Sequence, residues 1–147
     1  MKKNYLALLI GSALLLMNSC NRDNDNSSNS LIGTWHPVKE EVISGKDMKT
    51  IIETYNSDDC DQKSTIVFTE STIKSTFYYK DATGKCNLDG ADTVPYTFDA
   101  NKMKITIEGS TVDVKLLNNS EMRILDSYGE DVNNDGVDDY SLYYYKK

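Results

Sequence analysis

Residues 102–125, KMKITIEGSTVDVKLLNNSEMRIL, decide the fold. Met103, Ile105 and Ile107 alternate with Lys104, Thr106 and Glu108, and Val112, Val114 and Leu116 alternate with Thr111, Asp113 and Lys115. A period of two sends the apolar set to one face of a strand and the polar set to the other. Gly109-Ser110 and Asn118-Asn119 supply turn chemistry at the two breaks. The stretch therefore predicts three short antiparallel strands with one wet face, and such a meander needs something to cover its apolar face.

On the C-terminal side, 121–128 and 140–145 predict a last hairpin. On the N-terminal side, 93–99 is a strand ended by a turn at Asn101, and 64–70 and 72–80 are strands joined tightly at Glu70-Ser71. The domain opens on Leu31-Ile32-Gly33-Thr34-Trp35, with Val38, Val42 and Ile43 continuing one long, bent first strand. In 47–55 (DMKTIIETY), Met48, Ile51, Ile52 and Tyr55 fall at helical spacing and predict a lid-like turn of helix, with a long loop as the alternative. About eight strands with short connections suggest a barrel or a sandwich.

A chain of 147 residues suits one folded domain. Its net charge of -7 argues against nucleic acid as a partner. Ten tyrosines and two prolines fit a β-rich domain. Three cysteines and one histidine leave little material for a transition-metal site. His36 has no second histidine to work with, and the nucleophile-elbow, phosphate-loop and paired-histidine motifs do not occur. No enzymatic activity is expected.

Residues 1–19 read as a signal peptide: Lys2 and Lys3 precede an apolar run from Tyr5 to Met17, too short to span a bilayer. The run ends in Leu16-Met17-Asn18-Ser19-Cys20, which resembles a bacterial lipobox. The resemblance implies cleavage before Cys20 and its acylation, hence a membrane partner through a lipid anchor. The alternative is an ordinary secretory signal with an incidental cysteine. Residues 20–30 are then the acylated cysteine and a flexible tether, whose 21–30 (NRDNDNSSNS) hold no apolar residue and reach roughly 17 Å on a √n law. Asp23 and Asp25 resemble the surface-export signals of Bacteroidetes lipoproteins. The expected location is the outer membrane, facing the periplasm or the cell surface. With Cys20 acylated, Cys60 and Cys86 are left as an even pair in an oxidising compartment. A disulfide between them, worth about 3–4 kcal/mol for a loop of roughly 26 residues, is preferred over two buried thiols.

The whole of 31–147 resembles the lipocalin-like domain of small Bacteroidetes lipoproteins. The resemblance rests on Gly33-x-Trp35, on Cys60, on the strands bearing Phe68 and 72–79, and on Cys86, Tyr96-Thr97-Phe98 and the strand Met103 to Ile107. It implies an all-β, eight-stranded up-and-down antiparallel barrel with Trp35 plugging one end. The arginine that packs on this tryptophan in lipocalins has one candidate, Arg123, which falls on the polar phase of its strand. Two functional readings follow. In one, the barrel takes up a small apolar or amphipathic ligand in a cavity lined by Phe77, Tyr79 and Tyr144, the tyrosyl hydroxyls setting its orientation. In the other, those aromatics fill the barrel and pack across strands, and the domain is an accessory module working on an undefined protein partner through its outer surface.

The last motif is DVNNDGVDD at 131–139. Asp131, Asn133 and Asp135 stand at positions 1, 3 and 5 of a calcium loop, Gly136 at 6, the Val137 carbonyl at 7 and Asp139 at 9. Position 12 is Leu142, not the bidentate glutamate of an EF-hand. The segment resembles the calcium-binding hairpin loops of FG-GAP repeats, which implies calcium as a structural ion. The alternative is a solvated turn.

Overall fold

The computed structural model describes residues 30–147. The signal peptide, Cys20 and all but the last residue of the tether lie outside the described residues. Nine strands appear in chain order: β1 Gly33–Ile43, β2 Ile51–Asn56, β3 Thr65–Phe68, β4 Thr72–Lys80, β5 Cys86–Asp99, β6 Lys104–Ile107, β7 Ser110–Leu117, β8 Glu121–Ser127 and β9 Tyr140–Lys146. From β3 to β9 each strand pairs antiparallel with the next, and β1 closes the ring by pairing with β3 through Gly33–Trp35 and with β9 from His36 onward. The result is an eight-stranded up-and-down barrel. β2 is the ninth strand, laid on the upper half of β1 (Glu40↔Tyr55, Ile43↔Ile51).

β1 bends because its ladder to β9 shifts register between Pro37 and Lys39. Proline has no N–H to donate, so a strand tolerates it at an irregularity of this kind. The bend lets β1 serve β3 with its first residues and β2 with its last.

Segment 47–55 is not a helix. Ser44 N donates to Thr50 O at 2.8 Å, and Asp47 Oδ1 accepts the Lys49 and Thr50 amides, making a tight turn. The chain then returns as β2 with Ile51 and Tyr55 about half exposed. A helix here would have hidden its apolar stripe against nothing, whereas the open edge of β1 offered a full set of backbone partners.

The central meander forms as three strands, with two changes of phase. The first turn is centred on Glu108-Gly109, both at positive φ (49° and 90°) between the paired Ile107 and Ser110. This is the two-residue hairpin geometry whose twist matches the flanking strands. In β7 the register shifts between Val114 and Leu116, so Leu117 rather than Leu116 packs on the core. β5 also begins seven residues before the predicted strand, because β4 pairs along its full length back to Cys86.

The core sits at the end of the barrel where β1 begins. Leu31, Trp35, Phe68, Ile73, Ile105, Val114 and Met122 form its buried centre, with Tyr96, Phe98, Ile124 and Tyr145 packed against it. Trp35 is fully buried and donates its indole N–H to Leu31 O at 2.8 Å. Ser30 belongs to this end: it is buried, and its hydroxyl donates to Asn119 Oδ1 at 3.0 Å.

Candidate ligand-binding site

β2 and β3 lie one after the other along the same edge of β1, and the chain leaves that edge between them over residues 57–64. The excursion opens a cleft of about 320 Å³ above the filled core. Its floor is Ile66 and Tyr145, and its walls include Phe77, Tyr78, Tyr143 and Tyr55. Volume and lining suit a small ligand with an apolar body. Cys60 and Cys86 form a disulfide with a Cα–Cα distance of 5.5 Å, which ties the 57–64 excursion to the start of β5. The excursion is fixed locally as well: Asp58 Oδ1 accepts the Cys60 and Asp61 amides, Asp61 Oδ2 accepts the Asp58 amide, and Ser64 Oγ accepts the Tyr78 amide at 2.9 Å. One rim of the cleft is therefore held by covalent and polar struts.

Of the three aromatics expected to line a cavity, Phe77 and Tyr144 do so and Tyr79 does not. β3 begins only at Thr65, opposite Thr76, so the last residues of β4 pair only with β5, and Tyr79 stands 47% exposed beyond the cleft. Tyr78 takes the place expected of Tyr79. Phe77 is 48% exposed, which leaves a large apolar side chain at the mouth.

Beside the cleft lies a charged network that sequence patterning did not suggest. Glu41 is buried; its Oε1 accepts from Lys39 Nζ at 2.5 Å and its Oε2 from the Tyr144 hydroxyl at 2.5 Å. Burial pushes the Glu41 carboxyl up, but hydrogen bonds from Lys39 and Tyr144 and the charges of Lys39 and Arg123 outweigh it and hold the group below its ordinary range. Burial, then the bond to Glu41, raises the Tyr144 phenol to about 12. Lys39 and Arg123 also sit over the Tyr144 ring, at 4.3 and 4.8 Å from its centroid. Arg123 is thus not the cation on the tryptophan. Lys147 is: its ammonium lies 4.8 Å from the Trp35 ring and donates to Ser30 O at 2.7 Å.

His36 is exposed, and its Nδ1 is 3.2 Å from the Gln62 carbonyl. The loop 131–139 is organised by its carboxylates. Asp131 Oδ1 and Asn133 Oδ1 both accept the Asp135 amide, Asp131 Oδ2 accepts the Gly136 amide, and Asp135 Oδ1 accepts the Val137 amide. Asp139, fully buried, accepts the Val132 amide at 2.8 Å and the Gly45 amide at 3.1 Å, while Asp135 Oδ2 accepts the Ser44 hydroxyl. The loop is thereby strapped to the β1–β2 turn. Among the described residues, no three of His, Cys, Asp and Glu stand close enough together to hold a metal ion. The Val137 side chain is 41% exposed.

A lipocalin-like domain family matches residues 31–124. No curated protein matches the chain. Among solved structures, an uncharacterized protein from Bacteroides eggerthii aligns at 12% identity over 80% of this chain and 98% of its own, with a TM-score of 0.47. A lipocalin-like protein from Bacteroides uniformis aligns at 14% identity over 80% and 98%, with a TM-score of 0.46. A deswapped triple mutant of bovine odorant binding protein aligns at 15% identity over 80% and 74%, with a TM-score of 0.41.

Proposed function

The chain belongs to the lipocalin-like domain family, and from that premise we propose a non-enzymatic binding protein, anchored to the outer membrane by acyl chains on Cys20, whose cleft takes up a small apolar or amphipathic molecule. The observation that carries the reading is the aromatic-walled cleft of about 320 Å³ above a floor of core residues. The membrane part rests on the lipobox-like sequence around Cys20. Titration of the full chain with N-phenyl-1-naphthylamine, a neutral apolar fluorophore, tests the binding part. Saturable one-to-one binding is expected, weakened about tenfold or more by Phe77→Ala with Tyr55→Ala, two half-exposed positions where truncation leaves the core intact. Absence of saturable binding by the wild type defeats the reading. It would leave the accessory module, which the filled core around Trp35 favours. Expression with and without Cys20→Ala tests the anchor: wild-type protein should stay with membranes, since each buried methylene contributes about 0.8 kcal/mol, and the variant should not.

Calcium at 131–139 is a companion proposal. The oxygens of Asp131 and Asn133 meet at one amide, which supports it. Both oxygens of Asp139 are taken by backbone amides, which counts against it. Melting at millimolar calcium decides: a rise in Tm that Asp135→Ala abolishes is the expected signature, and an unmoved wild type leaves a self-capped turn.

A further inference from the structure

We propose that the ligand of the cleft carries a cationic head, an ammonium or guanidinium on an apolar body. The inference rests on the binding reading of the cleft and adds the charge of what it binds. Three ionisable residues of defined charge line the cleft: Lys39, Glu40 and Asp61. The lysine is already neutralised, because its ammonium is paired with buried Glu41 at 2.5 Å and lies over the Tyr144 ring. Among the described residues Glu40 accepts the Ser141 hydroxyl, at 2.5 Å, and Asp61 accepts a backbone amide. Among the described residues neither carboxylate is in an ion pair, so the cleft presents two uncompensated negative charges.

The walls suit the same ligand. Tyr143 pairs with Glu40 across β1 and β9, which puts a phenol ring and a carboxylate side by side on one face of the sheet. Burial first, and then the negative charges of Glu40 and Asp126, keep the Tyr143 phenol above its ordinary range, so this wall stays a neutral ring in a negative field. Ring faces attract cations when water is excluded. The protein uses that attraction at Tyr144 and Trp35, where Lys39, Arg123 and Lys147 occupy the rings. Tyr143, Tyr78 and Phe77 line the cleft with no cation over them among the described residues. An anionic head, such as a fatty-acid carboxylate, would instead meet Glu40 and Asp61 with the one lysine already engaged.

The test is calorimetric titration of the full chain with three probes of one chain length: octyltrimethylammonium, 1-octanol and octanoate. The ammonium is expected to bind at least tenfold tighter than either of the others. Glu40→Gln keeps an acceptor for Ser141 and should remove most of that advantage while leaving octanol unchanged, and Asp61→Asn should do so in part. Glu108→Gln, an exposed turn residue, makes the same change in net charge far from the cleft and should do nothing. Octanol or octanoate binding as tightly as the ammonium overturns the charge inference but leaves the cleft standing. So does a loss in Glu108→Gln equal to that in Glu40→Gln, which would mark a diffuse effect of net charge. Failure of all three probes to bind takes down the binding reading itself.

Discussion

Trp35 closes the barrel with a fully buried ring, an indole N–H satisfied by Leu31 O and an ammonium over its face. Trp35→Ala should cost about 3–5 kcal/mol in chemical denaturation, as large core truncations do. The cation contributes less: Lys147→Met should cost about 0.5–1 kcal/mol and shift Trp35 emission, whereas Arg123→Gln should leave that emission unmoved. Glu41 makes a pH-dependent contribution of known sign. Its folded pKa lies below the ordinary 4.5. Its stabilisation is therefore fully present above that value and is lost as pH falls through the lower folded one. At pH 7, Glu41→Gln should cost about 1–3 kcal/mol, the range for a bond to a buried charge. The gap between wild type and variant, followed by urea melts at decreasing pH, should close as pH falls below 4.5 through the lower folded value. A gap that widened on acidification would contradict the Lys39–Glu41–Tyr144 arrangement.

At the scale of elements, the β1–β2 turn and the 128–139 loop form one unit. A Cβ on Gly45 would lie 2.0 Å from Asp138 O, so the two backbones are in direct contact. Gly45→Ala must push the loop away and weaken the bond from Gly45 N to Asp139. A loss of about 1–3 kcal/mol is expected, typical of overpacking, with faster amide exchange at Val132 and Tyr128, whose N–H groups bond to Asp139. A variant with unchanged Tm and exchange would separate the loop from the turn. Strand edges explain the other elements. β2 exists because β3 leaves the upper edge of β1 open, and β5 is long because β4 supplies partners back to Cys86.

Over the whole molecule, the described barrel divides into a filled end and an open cleft, and the disulfide sits on the rim of the open part. Reduction, or Cys60→Ser with Cys86→Ser, should lower stability by about 3–4 kcal/mol, from the entropy of a 26-residue separation. The filled end needs no covalent help, so the variant should keep the far-ultraviolet signature of the barrel in the folded fraction. It should lose affinity for an apolar probe, because residues 57–64 would no longer be held open against β5.

What the sequence determined by itself was the alternation. Ile105 and Ile107 fall on one face because a strand has period two, and that physics is local. So were the strands at 72–80 and 121–127, the two spare cysteines, and the turns at Asn101 and Asn118, where the short side chains of Asp99 and Asn118 accept backbone amides a few residues on. The helical spacing in 47–55 misled, because spacing reports a possible face and says nothing of the empty strand edge that captured the segment. Leu116 and Leu117 exchanged roles through a bulge set by the partner strand β8. Tyr78 rather than Tyr79 reached the cleft because β3 does not begin until Thr65, opposite Thr76. Lys147 over Trp35, Asp139 beneath Gly45 and Glu41 between Lys39 and Tyr144 join residues from distant parts of the chain or depend on such joins. Burial, charge pairing and the cleft itself are properties of closure, and closure depends on the pairing of β1 with β9, which only the tertiary structure decides.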